Sequence, residues 1–191
     1  MGNFYTNYTL RGPSQRAVAA ALAGRAAFVT PAQDGCVVVF DEESEEQNPE
    51  TIADLAARLS RELNCQVLTV LNHDDDVLWC QLYLEGELAD EYDSSPGYFD
   101  PSAEPGKPAG GDARQLCRAF GTGEVAEVER ILRKSAFDED GYAFAVERHA
   151  DLARALAIPS FAVGTGYRYV AEGELPEGLD KRDLLRVTRR P

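Results

Sequence analysis

Residues 49–71, PETIADLAARLSRELNCQVLTVL, change hydrophobic period part-way along, and the fold turns on that change. Ile52, Leu55, Ala56, Leu59 and Leu63 recur three and four apart, the stripe of an amphipathic helix. Asn48 before Pro49 supplies a cap followed by proline at the first helical position. From Val67 to Leu71 the pattern becomes an apolar run of strand length, which suits a buried strand better than one at a sheet edge. Reading towards the N-terminus, residues 36–40 and 26–30 are two strands joined across Asp34-Gly35, a strong turn pair. Gly12-Pro13-Ser14 opens a helix over 14–23, with Val18, Ala21 and Leu22 facing inward. Residues 3–10 alternate as a strand, with Phe4, Thr6, Tyr8 and Leu10 on one face and Tyr5, Asn7 and Thr9 on the other. Reading towards the C-terminus, residues 77–84 and 87–92 are strands around Glu85-Gly86.

The order through residue 72 is therefore strand, helix, strand, strand, helix, strand. That order resembles the ferredoxin-like split βαβ arrangement. The resemblance covers about 70 residues and rests on element order. It implies an α+β fold with a mainly antiparallel sheet and both helices on one face. The hairpin of 77–92 extends this sheet to five or six strands and covers its edge. Residues 1–93 are then one α+β sheet domain. Residues 94–111 hold eleven Gly, Pro or Ser among eighteen and read as a linker or long loop. Residues 112–191 read as a smaller α-rich unit packed on the first, with helices over 112–120, 123–135 and 147–157. Short strands fit at 142–146, 160–164 and 167–171, and 181–191 forms a basic tail.

Thirty-three acids stand against 19 bases in 191 residues, a formal net charge of −14. That excess argues against general nucleic-acid binding, which needs cations on the phosphates. No apolar run reaches the length of a membrane span, and the N-terminus lacks the regions of a signal peptide. Cys36, Cys65, Cys80 and Cys117 form no CxxC, so neither a zinc cluster nor a disulfide framework is indicated. These features predict reduced thiols in a cytoplasmic protein, and 16 Arg against 3 Lys with abundant Ala gives a bacterial look. No cofactor is implied: GxxxxGK[ST], GxSxG and HExxH are all missing, and Gly164-Thr165-Gly166 lacks the third glycine of a dinucleotide fingerprint.

Two clusters carry the functional expectations. Residues 41–50 hold six acids and no base. Asp41, Glu42, Glu43, Glu45 and Glu46 form an acidic face suited to a basic protein partner, a profile that small immunity and antitoxin-type proteins share. The second cluster is His73-Asp74-Asp75-Asp76, on a turn between two strands. These side chains offer hard ligands for a divalent cation that activates water, although consecutive residues diverge in direction. His149 falls on a helix and reads as partly exposed. The leading expectation is a non-catalytic acidic interaction protein, with no catalytic residue assigned. A ligand-binding regulatory module of the ACT type follows from the ferredoxin-like resemblance, and a metal-dependent hydrolase from 73–76.

Overall fold

The structure, a computed structural model, describes residues 2–100, 102, 106–136 and 138–189. Strand β1 (Tyr5–Arg11) runs through the middle of an eight-stranded antiparallel sheet, and its alternation decides what covers each face. Tyr8 and Leu10 face α1 (Gln15–Ala21) and α2 (Pro49–Leu63). There Val18, Ile52, Leu55, Ala56 and Leu59 close over Val37 and Val39 of β3 (Cys36–Asp41) and Val67 and Leu71 of β4 (Gln66–His73). Both helices start on side-chain caps: Ser14 accepts from the Ala17 N–H, and Asn48 accepts from that of Thr51 at 2.9 Å.

Tyr5 faces the opposite side. Val38, Phe40, Leu68 and Val70 there meet the later helices. These are α3 (Ala113–Phe120), α4 (Val125–Arg133), α5 (Ala145–Ala155) and α6 (Tyr167–Glu172). The apolar runs in β3 and β4 are thus explained by helices on both faces. Asn7 fastens the layers, its amide donating to the carbonyls of Ala162 and Thr165 at 2.7 and 2.9 Å.

With β2 (Ala27–Val29), β5 (Val77–Leu84), β6 (Glu87–Asp93), β7 (Ala109–Gly110) and β8 (Leu185–Val187), the sheet order is β7-β6-β5-β4-β1-β3-β2-β8. The sheet is wider than five or six strands because β7 and β8 are too short to show a period. Strand β7 lies inside the segment read as linker or loop, and β8 inside the basic tail.

The short strands expected late in the chain are corrected. Residues 142–146 instead lead into α5, because the Glu147 carboxylate accepts the N–H groups of Ala143 and Phe144, both at 3.1 Å. Residues 160–162 form a single 3-10 turn. The Tyr167/Tyr169 alternation mimics a strand. Glu45, accepting the Tyr167 N–H at 2.7 Å, and Gly173 in the left-handed region make it helical. No helix among the described residues is long and apolar enough to cross a membrane.

Candidate functional site

Antiparallel register builds the site. Thr6 pairs with Leu71, Leu71 with Trp79 and Trp79 with Asp93, a row crossing β1, β4, β5 and β6 on the face of α1 and α2. The next row places His73 opposite Val77. Helix α2 begins at Pro49 and leaves this corner of the sheet uncovered, opening a cleft of about 560 Å³. That volume suits a small ligand or a short peptide segment.

Leu71, Val77 and Trp79 form the apolar floor. The wall is aromatic: the His73 ring meets Phe4 and Phe99 edge-on, with centroids 4.8 and 4.9 Å away. Phe99 is 65% exposed. His73 Nδ1 lies 2.7 Å from Gln47 Oε1, while the Gln47 amide donates to the Asn72 carbonyl at 2.8 Å. Because the Gln47 oxygen can only accept, Nδ1 carries the proton, and the ring is held as part of the wall.

Three carboxylates line the cleft and no Lys or Arg does. The Glu46 carboxylate makes no hydrogen bond or ion pair with the described residues. Asp93 accepts one bond, from the Ser95 N–H at 2.8 Å, and burial, with Glu91 close by, pushes its pKa up. Glu45 has its pKa raised by burial, offset by the Tyr167 N–H and Arg168. Two negative charges therefore face the cleft without a cation opposite them.

The acidic run proves less uniform than its sequence. Asp41 is a correction: it is wholly buried, and it receives Arg25 Nε at 2.7 Å and Nη2 at 2.6 Å. Ser44 adds its N–H and hydroxyl, and that hydroxyl lies 2.6 Å from the Tyr8 hydroxyl. Glu43 pairs with Arg25 and Arg189 at 3.0 and 2.6 Å, and Glu42 lies 3.8 Å from Arg189. The basic tail of the chain thus meets part of its own acidic run. Within this run, only the Glu46 carboxylate lines the cleft free of any such pairing with the described residues.

The cluster at 73–76 does not converge. Asp74 accepts the Gly2 N–H at 2.8 Å, Asp75 binds Asn3 and Asn72, and Asp76 accepts from the Tyr98 hydroxyl at 2.8 Å. Asp74 and Asp75 both hold positive φ, which turns their side chains apart. Among the described residues no group of three or more His, Cys, Asp or Glu is placed to hold a metal ion.

His149 is also corrected. It is 2% exposed, with Nδ1 2.7 Å from the Tyr5 hydroxyl. Burial pushes its pKa down to about 3, so the imidazole is neutral. The cleft residues that sequence reasoning missed were Trp79, Asp93, Phe4 and Phe99. Two of them lay within reach of strand register: Trp79 shares a face with Val77 and Tyr83, and the 77–93 hairpin brings Asp93 opposite it. No protein-family model, curated protein or solved structure matches the chain.

Proposed function

We propose that the chain is a non-catalytic binding protein that meets a basic protein partner at the surface formed by Glu42, Glu43 and Glu46 and the cleft beside them. The observation that carries this reading is the pair Glu46 and Asp93, two carboxylates on one aromatic-walled cleft with no cation among the described residues to balance them. Uncompensated charge beside exposed aromatic surface favours a cationic partner over a neutral one. The sealing of His149 away from solvent supports a binding role, since general acid–base chemistry would keep such a group accessible. We also read the inner strands β4-β1-β3-β2, with α1 and α2 on one face, as a ferredoxin-like core. That reading, together with the size of the cleft, favours a second possibility, a regulatory module for a small ligand.

Zero-length carbodiimide cross-linking of the protein with copurified proteins, at low and high salt, separates the two. The proposal expects links from carboxylates at 42–46 to lysines of one basic protein, lost as salt rises. Links arising elsewhere on the surface, or a retained small molecule in place of a protein, count against it.

A further inference from the structure

We infer that the cleft receives one arginine or lysine side chain from an extended segment of the basic partner, its aliphatic stem on the Trp79 floor and its charged head between Glu46 and Asp93. The inference rests on the binding reading above and names what that site takes. Three independent features select this occupant. The floor of Leu71, Val77 and Trp79 offers apolar surface to a stem, which a bare metal ion or ammonium would leave unused. The wall of Phe4, His73 and Phe99 presents ring surface where a cation is attracted by the aromatic quadrupole. Glu46 and Asp93 supply charge that nothing else in the described chain neutralises. The N-terminus of α2 opposes a cation through its partial positive charge. That charge is about half a unit, less than the two free carboxylates present. At about 560 Å³ the cleft exceeds a single side chain, which suits a residue presented with its neighbours rather than a free amine.

The chain has one tryptophan, and Trp79 on the cleft floor is therefore a built-in reporter. Titrating the intact protein with acetyl-Gly-Arg-Gly-amide and acetyl-Gly-Lys-Gly-amide should give a saturable change in its fluorescence. The neutral isostere acetyl-Gly-norleucine-Gly-amide should give none at the same concentrations. Glu46→Gln and Asp93→Asn should each weaken binding of the cationic peptides roughly fivefold to tenfold, as removal of a partly desolvated charge partner does. The amide introduced by Asp93→Asn keeps an acceptor for the Ser95 N–H, and a thermal melt confirms that both variants fold. The doubly substituted Glu174→Gln/Glu177→Gln protein, altered at exposed carboxylates that do not line the cleft, should bind these peptides as the parent does. Equal binding of the norleucine peptide, or unchanged affinity in Glu46→Gln and Asp93→Asn, overturns the inference. Agmatine binding more tightly than the arginine peptide also overturns it, since the occupant is then a free small amine. Cross-links from 42–46 to a basic protein combined with silent peptides defeat this inference alone and leave the proposed function standing.

Discussion

Arg25, two residues before β2, and Asp41, the last residue of β3, form a two-pronged ion pair, Nε and Nη2 of one side chain donating to separate oxygens of the other at 2.7 and 2.6 Å. The pairing of Ala27 with Asp41 across β2 and β3 sets this geometry, although the two charged residues are far apart in sequence. The carboxylate has no exposed surface, so it depends on its partner for solvation. Arg25→Ala should cost about 3–5 kcal/mol in urea denaturation, because it leaves the fully buried Asp41 carboxylate without its cation. The Glu42→Gln/Glu43→Gln protein should stay within roughly 1 kcal/mol of the parent, because exposed pairs contribute little. Equal losses in the two proteins would place Asp41 on the surface and refute the structural assignment.

His149 makes stability depend on pH in one direction. Its pKa is near 6.5 in an unfolded chain and is driven down to about 3 by burial in the native state. Between those values the unfolded chain binds a proton that the folded chain refuses. The full contribution of the neutral ring is present above pH 6.5 and is lost as the pH falls, at about 1.4 kcal/mol per unit. Urea midpoints measured from pH 7 to pH 4 should fall accordingly. His149→Gln should remove that part of the slope, and an unchanged profile would mean that the ring is reached by water.

Gly166 sits where a side chain has no room. A Cβ there would strike the Glu45 carboxylate and approach Tyr5 Cβ to 2.9 Å. Glu45 caps the first N–H of α6, so the collision would disturb that contact as well as the packing on β1. Gly166→Ala should lower stability by about 1–3 kcal/mol, the usual cost of overpacking. A thermal melt within a degree of the parent would show that the two elements can separate without penalty.

The four thiols offer a separate check on the layers. All are free and buried, and burial pushes Cys65 up to about 11 and Cys80 to about 12. Thiolate is the reactive form, so native protein at pH 8 should react slowly with a disulfide reagent. After denaturation four equivalents should react promptly. Fast labelling of Cys80 in the native protein would require the α3–α6 layer to open.

The fold was legible wherever period and turn chemistry agreed. Asn48-Pro49 and the stripe from Ile52 to Leu63 mark α2, and the largely apolar run at 67–71 marks β4 as a buried strand rather than an edge. The site was not legible because it is made by register. Trp79 and Asp93 share a cleft only through cross-strand pairing, and Phe4 and Phe99 arrive from the segments just before β1 and after β6. The acidic run misled for a related reason. Local composition counts charges but does not show that Arg25, Arg168 and Arg189 return from other parts of the chain to meet them. His149 misled through its neighbours, since Glu147, Arg148 and Asp151 give its helix a polar look while the ring itself turns inward.

The three-residue strand β8 has a consequence for how the molecule keeps to itself. It pairs residue for residue with β2, and Arg186 stands over the Phe28 ring at 5.8 Å. Without it, Ala27, Phe28 and Val29 would present open backbone donors and acceptors beside an apolar ring, a template for recruiting a strand from another molecule. Strand β8 becomes the edge in turn, and its three-residue length and Arg186 make it a poorer template than the apolar β2 it covers.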